Sequence, residues 1–228
     1  MIIALDGPAG SGKSTIAKRL SQRLNIEYID SGAIYRTLTL FGMRQFGGDC
    51  SGREREIAAF FKRHPQYLEI AYRNHSQKMV LQGMEVSEEI RTPEVTKQVK
   101  HIADNLECRE LVNAILRNLA CQYSFAIDGR DIGTVVFPHA SCKFYLDAEP
   151  KIRAARRAKE FRLPEGGEAY RQLLQDMRKR DAEDQAREIG PLAIAEDAIV
   201  IDTSDLDIDQ VVNRMLKELE KLGLYVFV

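Results

Sequence analysis

Between an apolar run, Ile2-Ile3-Ala4-Leu5, and a stretch from Ser14 to Leu24 with Ile16, Leu20 and Leu24 on one helical face, the chain reads Gly7-Pro8-Ala9-Gly10-Ser11-Gly12-Lys13-Ser14. This order constrains the fold more than any other feature. Glycines let the backbone curl until successive amide groups point inward, which makes a concave cradle for an anion. The apolar run suits a buried strand. The amphipathic stretch suits a helix whose N-terminal amides and positive dipole end face the same cradle. A lysine and a hydroxyl residue directly after the last glycine supply a phosphate counter-ion and a magnesium ligand. Strand, glycine loop and helix together make a nucleotide phosphate-binding loop. Its expected ATP-contacting residues are Gly7, Pro8, Ala9, Gly10, Ser11, Gly12, Lys13, Ser14 and Thr15, with Lys13 against the β- and γ-phosphates and Ser14 on Mg²⁺.

At 228 residues the chain can bury a full core, and it suits one domain with appended segments. The formal net charge is −1, which argues against a large basic face for nucleic acid. No apolar stretch approaches the length of a membrane span. Cys50, Cys108, Cys121 and Cys142 show neither C-x-x-C spacing nor the density of a disulfide scaffold, and His64, His75, His101 and His139 form no ligand pattern with them. Reduced thiols in a cytoplasmic protein are the simplest reading. The expected partners are small molecules, with no nucleic acid and no membrane, and a monomer is the expected state.

Five short apolar runs read as strands of a parallel sheet: Ile2 to Leu5, Ile26 to Ile29, Ser124 to Ile127, Lys143 to Leu146 and Ala198 to Ile201. Helical patterns separate them, as right-handed βαβ crossovers require. The last helix is the clearest, with Val211, Val212, Met215, Leu216, Leu219 and Leu222 at helical spacing. Two stretches interrupt the alternation. From about Gly47 to Leu119 the pattern predicts a helix, then a hairpin of Leu68 to Tyr72 and Lys78 to Gln82 joined through Arg73 to Gln77, then helix from about Pro93. This reads as an insertion. The second stretch opens at Lys151 to Arg162 with six basic residues and one acid, and breaks at Leu163-Pro164-Glu165-Gly166-Gly167. A solvated basic helix and a lid that closes over phosphates are both open readings of it.

A phosphate-binding loop is shared by switch GTPases, motor ATPases and small-molecule kinases. No Asn-Lys-x-Asp sequence for guanine is present. Arginines are more informative. Arg36 and Arg130 lie just past the second and third expected strands, and Arg180 and Arg187 flank the lid-side block. Positions beyond strand C-termini line the ligand crevice of an open parallel sheet. Guanidiniums gathered there imply a second anion beyond the ATP served by Lys13. If that anion is a phosphate, its oxygen is already a nucleophile at neutral pH. Catalysis then rests on positioning and charge neutralisation rather than on a general base, with Lys13, Arg130, Arg180 and Arg187 as candidate catalytic groups. Asp128 closes the third strand. A metal role, direct or through water, competes with capping of the Gly129 turn, and both stay open.

The chain resembles the bacterial cytidylate kinase family of nucleoside monophosphate kinases. The matching blocks are Asp6 to Thr15, Asp30 to Arg36 (DSGAIYR), Glu89 to Val95, Gly129 to Pro138 (GRDIGTVVFP), Arg180-Asp181 with Asp184, Arg187, Pro191 and Leu192, and Asp202-Thr203-Ser204. They run nearly end to end. The resemblance implies an α/β fold: a three-layer P-loop core with a five-stranded parallel sheet over about 1–40, 120–150 and 190–228. It also implies a nucleoside-monophosphate-binding insertion over about 41–119 and a helical lid over about 151–189. The implied reaction is transfer of the γ-phosphoryl group of ATP to CMP or dCMP. By the same resemblance Ser31, Arg36, Arg130 and Arg187 hold the acceptor phosphate, Arg109 and Asp131 read cytosine, and Arg180 and Asp184 face the sugar.

Cytosine offers an exocyclic amine with N3 and O2 acceptors beside it. A carboxylate at Asp131 accepts from the amine and a guanidinium at Arg109 donates to the acceptors. Uracil would set a carbonyl against Asp131, so CMP and dCMP are the expected acceptors over UMP. The sequence departs from the family at two places. Lys100 stands where a small hydroxyl residue usually contributes to the base site, and Gln185 stands where serine is usual. Competing readings are a kinase for another small acceptor such as shikimate or gluconate, and a slow nucleotide-hydrolysing switch.

Overall fold

Strand β1 (Ile2–Asp6) is buried from Ile3 onward, as a strand covered on both faces must be. Parallel partners flank it. β6 (Phe125–Asp128) pairs in the register Ile3↔Ala126 and Leu5↔Asp128. β7 (Cys142–Asp147) pairs as Leu5↔Phe144 and Asp6↔Tyr145, and carries β8 (Ile199–Asp202) on its far side. In this computed structural model residues 1–73, 76–164 and 166–225 are described. The chain divides into two units, Met1–Ile26 with Phe125–Val228, and Glu27–Ser124. The five-stranded sheet has the order β2-β6-β1-β7-β8, and its edge strand β2 (Glu27–Asp30) opens the second unit. The five expected strands are therefore present, each within a residue or two of its predicted ends.

In the first unit helix α1 (Lys13–Leu24) packs against β6 and against the last helix, α8 (Ile208–Lys221). α8 begins with a capping box in which the Asp207 carboxylate accepts from the Gln210 amide and the Gln210 side chain accepts from the Asp207 amide. Its stripe of Val211, Val212, Met215, Leu216 and Leu219 is buried. α6 (Pro150–Glu160) and α7 (Glu168–Ala186) pack on each other. The breaker expected between them includes Glu165, which lies outside the described residues. Its proline and glycines leave Pro164 and Gly166 outside both helices.

The second unit holds α2 (Ser31–Gln45), α3 (Glu54–Arg63), α4 (Pro93–Asp104) and α5 (Leu106–Ala120) around a three-stranded antiparallel sheet. The helical region expected from Pro93 is two helices. Asn105 leaves helical geometry and its side chain caps α5 by accepting from the Cys108 amide. The hairpin is present as β3 (Leu68–Arg73) and β4 (Ser76–Leu81), while the expected link through Asn74 and His75 lies outside the described residues. β4 was expected to reach Gln82 and instead ends at Leu81. Gln82 and Gly83 both take positive φ, 52° and 81°, and form a two-residue turn into β5 (Met84–Glu85). A two-residue strand carries too little pattern to be read in advance.

Candidate functional site

The loop after β1 turns where only glycine fits. Gly7 has φ +146°, and a Cβ there would lie 2.1 Å from the Leu146 carbonyl oxygen. Gly12, at φ 90°, starts α1 with no side-chain cap, which leaves the first amides of the helix to a ligand. Lys13 lies back over the loop. Its Nζ donates to the Pro8 carbonyl at 2.6 Å and to Ser11 Oγ at 3.3 Å. Burial, and then the nearby charge of Arg130, hold its ammonium well below the usual lysine range, against the pull of Asp128, Asp6 and Asp181. Thr203, in the last matching block, donates to the Ser11 carbonyl and so braces the loop from the end of β8.

Ser14 and Asp128 meet. Ser14 Oγ donates to Asp128 Oδ2 at 2.7 Å. The Gly129 amide beside it donates to the Leu5 carbonyl at 3.0 Å. A hydroxyl and a carboxylate oxygen are hard donors of the kind Mg²⁺ takes, in a site completed by phosphate oxygens and water. Among the described residues no group of three or more His, Cys, Asp or Glu gathers as a metal site.

Arg130 and Arg187 share one carboxylate. Arg130 Nε donates to Asp184 Oδ2 and Arg187 donates to Asp184 Oδ1, each at 2.8 Å. Burial would raise the Asp184 pKa, but the charge and hydrogen bond of Arg130, with the charges of Arg187 and Arg180, outweigh it and hold the group below the usual carboxylate range. Arg180 is exposed on α7 one turn before. Asp131 is buried at the start of the turn after β6. The same unit thus brings together Lys13, Ser14, Asp128, Arg130, Asp184 and Arg187, with Asp184 on α7 and Arg187 just past its end, in the stretch that the sequence placed in the lid.

The second unit holds the remaining predicted residues. Asp30 caps α2 by accepting from the Ala33 amide at 3.0 Å, and Ser31, the first residue of that helix, is buried. Arg36 donates to Thr96 Oγ1 at 2.8 Å and to the Ile90 carbonyl at 3.3 Å. Arg109 is 3% exposed, which the polar helix around it did not announce. Its guanidinium donates to the Ala103 carbonyl at 2.9 Å, near the end of α4, and stands 5.8 Å from the Tyr35 ring centre. Lys100 is exposed on α4 and Gln185 exposed on α7.

Two functional candidates escaped the sequence reading. Arg153 and Asp181 form a buried ion pair at 2.5 Å, and both also hold the Ala9 peptide: Asp181 accepts from its amide at 3.2 Å and Arg153 donates to its carbonyl at 2.9 Å. Helices α6 and α7 therefore grip the phosphate loop itself. The only advance signals were the position of Asp181 beside Arg180 and of Arg153 within the basic run. The pair lines an open cavity of about 660 Å³ that Pro8 and Tyr145 also line.

The cytidylate kinase family matches residues 3–221. A cytidylate kinase of Clostridium tetani is 41% identical over 226 residues, spanning 96% of this chain and 94% of its own. One from Desulforamulus reducens is 41% identical over 223 residues, spanning 96% of each. Among solved structures, an uncharacterized protein from Eubacterium ventriosum has a TM-score of 0.53 at 13% identity, covering 96% of this chain and 98% of that one, a likeness of fold alone.

Proposed function

The chain belongs to the cytidylate kinase family and phosphorylates CMP or dCMP from ATP, and on that premise we propose how its residues divide the work. The observation that carries the reading is the pair of guanidiniums, Arg130 and Arg187, fixed on the single carboxylate of Asp184. Such a pair presents convergent donors to a phosphate with little side-chain freedom left to lose. Arg130 and Arg187, with Ser31 and Arg36 of the second unit, hold the acceptor phosphate. Arg109 and Asp131 read the cytosine, and Arg180 and Asp184 face the sugar. The core, the insertion and the lid correspond to about 1–40 with 120–150 and 190–228, about 41–119 and about 151–189.

Residues Gly7 to Thr15 hold the ATP phosphates through loop amides, and Lys13 exchanges the Pro8 carbonyl for phosphate oxygens. An acceptor phosphate oxygen attacks the γ-phosphorus, a new P–O bond forms in line, and the bond to the β-phosphate bridging oxygen breaks with its electrons leaving on ADP. No proton has to move, which agrees with a cluster made of cations rather than of a general base. Ser14 and Asp128 would hold Mg²⁺, which when bound offsets charge on the β- and γ-phosphates. Reduced cysteines, three buried and Cys121 exposed, support a cytoplasmic setting. Among the described residues no helix is long and apolar enough to cross a membrane.

The test is ADP release from Mg-ATP with CMP, dCMP, UMP, AMP, GMP, shikimate or no acceptor, run side by side. Turnover with CMP and dCMP far above the rest is expected. Turnover with shikimate alone, or none above the acceptor-free rate, would overturn the reading.

A further inference from the structure

Asp6 is the last residue of β1 and is 5% exposed. Its Oδ1 accepts from the Ile132 amide at 2.9 Å and its Oδ2 from the Gly133 amide at 2.7 Å. Those amides open the single turn Ile132–Val136, whose preceding residue, Asp131, gives it no side-chain cap. The capping is done from another strand. Gly133 sits tightly in place, since a Cβ there would lie 3.3 Å from Asp6 Oδ2 and 3.1 Å from Lys143 Cδ. Three residues earlier the same segment is tied to the same strand, by the Gly129 amide on the Leu5 carbonyl at 3.0 Å. Arg130 and Asp131 are the two residues between these ties.

We propose that Asp6 is a positioning residue for the acceptor nucleotide, holding the 132–133 amides so that Arg130 and Asp131 meet the acceptor from a segment pinned at both ends to β1. This rests on the reading above that Arg130 holds the acceptor phosphate and Asp131 reads the base. Asp6 acts through the two amides it holds, those of Ile132 and Gly133. Its link from the strand that launches the phosphate loop to the acceptor segment sets the distance between the two substrates' holders.

The ionised carboxylate is the form that accepts two amides at once. Burial pushes the Asp6 pKa up from 3.8 to about 6, the amides of Gly133 and Ile132 lower it, the charge of Asp131 raises it and that of Lys13 lowers it. Tyr145 on β7 also faces it, while the Lys143 ammonium is turned to Asp197. Below about pH 6 a growing fraction carries a proton and one oxygen becomes a donor facing an N–H. The grip on the segment loosens there. The acceptor's own phosphate also titrates near pH 6, so the wild-type profile alone does not isolate Asp6.

The experiment compares the wild type with Asp6→Asn. Calorimetry gives the Kd of CMP without donor and of ATP without acceptor, and kcat/KM for CMP is followed with pH. Loss of one charged hydrogen bond predicts CMP binding weakened about tenfold at neutral pH, with ATP binding changed less than about threefold. The ratio of wild-type to variant kcat/KM, in which the substrate's titration cancels, falls toward one as pH drops below about 5. In wild-type protein the Ile132 and Gly133 amide resonances shift together with a midpoint near pH 6. That last measurement decides the matter if the variant does not fold. Equal weakening of CMP and ATP, a ratio independent of pH, or amides that do not titrate would each overturn the proposal. Failure of the underlying reading is separately visible, because Arg130→Ala and Asp131→Asn would then bind CMP as the wild type does.

Discussion

The hydroxyl of Ser14 donates to Asp128 Oδ2 across 2.7 Å, joining the first turn of α1 to the C-terminal end of β6. Two hard oxygen donors at hydrogen-bond distance can take one cation between them with small side-chain shifts, and the remaining positions fall to phosphate and water. Asp128→Asn keeps the shape and removes the charge. Its half-saturating Mg²⁺ concentration should rise about ten- to a hundredfold, with CMP binding in the absence of ATP unchanged. A magnesium titration of initial rates checks this. An unaltered titration would remove Asp128 from the metal site.

Asp184 is the shared partner of two guanidiniums, and its side chain is 7% exposed against 21% for Arg130 and 12% for Arg187. Removing it leaves both cations partly buried and facing each other. Asp184→Ala should lose about 3 kcal/mol of stability, the cost of breaking a buried pair from one side. The pH dependence has a definite sign. A folded pKa below the unfolded one means that the stabilisation is fully present above the ordinary carboxylate value of about 4 and is lost as pH falls through the lower folded value. Thermal unfolding between about pH 2.5 and 7 should therefore show the wild type converging on Asp184→Asn only at the acid end.

Most elements were legible locally, though not their ends. The stripe expected to reach Leu222 is buried only to Leu219, with Leu222 exposed past the end of α8, β4 stops at Leu81, and the helix expected from Pro93 divides at Asn105. The glycine loop, the five strands and the α8 stripe each announce themselves within a window shorter than one element, through backbone freedom, apolar runs and helical spacing. Partners far apart in the chain do not. Asp181 and the Ala9 amide are 172 positions apart, and Arg130 and Asp184 are 54 apart. Nothing in either neighbourhood names the other. Arg109 shows the same limit, since its helix is polar enough to suggest a solvated residue, while in the fold it is buried with contacts to Tyr35 and the Ala103 carbonyl. Asp6 stood inside a recognised block and still had no assigned task, because its two partners are the amides of a turn more than a hundred residues later.

Base selectivity is the most exposed part of the residue assignments. A carboxylate at Asp131 facing the O4 of uracil leaves a buried acceptor unpaired, which costs about 1–3 kcal/mol, or roughly five- to 150-fold in kcat/KM against UMP. Asp131→Asn can turn an N–H toward that oxygen. It should narrow the CMP-to-UMP ratio of kcat/KM by at least about tenfold, mostly by losing CMP. Arg109→Met keeps the bulk and should weaken both pyrimidines alike. Unchanged ratios in the Asp131 variant would place base reading elsewhere.

Gly7 gives the sharpest stability contrast. A methyl there would lie 2.1 Å from the Leu146 carbonyl oxygen, a fixed backbone atom of β7, at a φ of +146°. Neither partner can move without shifting the central strands. Gly47 also has a positive φ, +70°, but a Cβ there meets nothing within 4 Å. Gly47→Ala should cost about 1 kcal/mol, the left-handed penalty alone, with full activity. Gly7→Ala should cost more than about 3 kcal/mol or fail to fold, because strain at a special φ adds to overpacking. Urea unfolding of the two variants in parallel measures the difference. Similar small losses for both would mean that the loop and β7 separate easily, contrary to the close approach of Gly7 to Leu146.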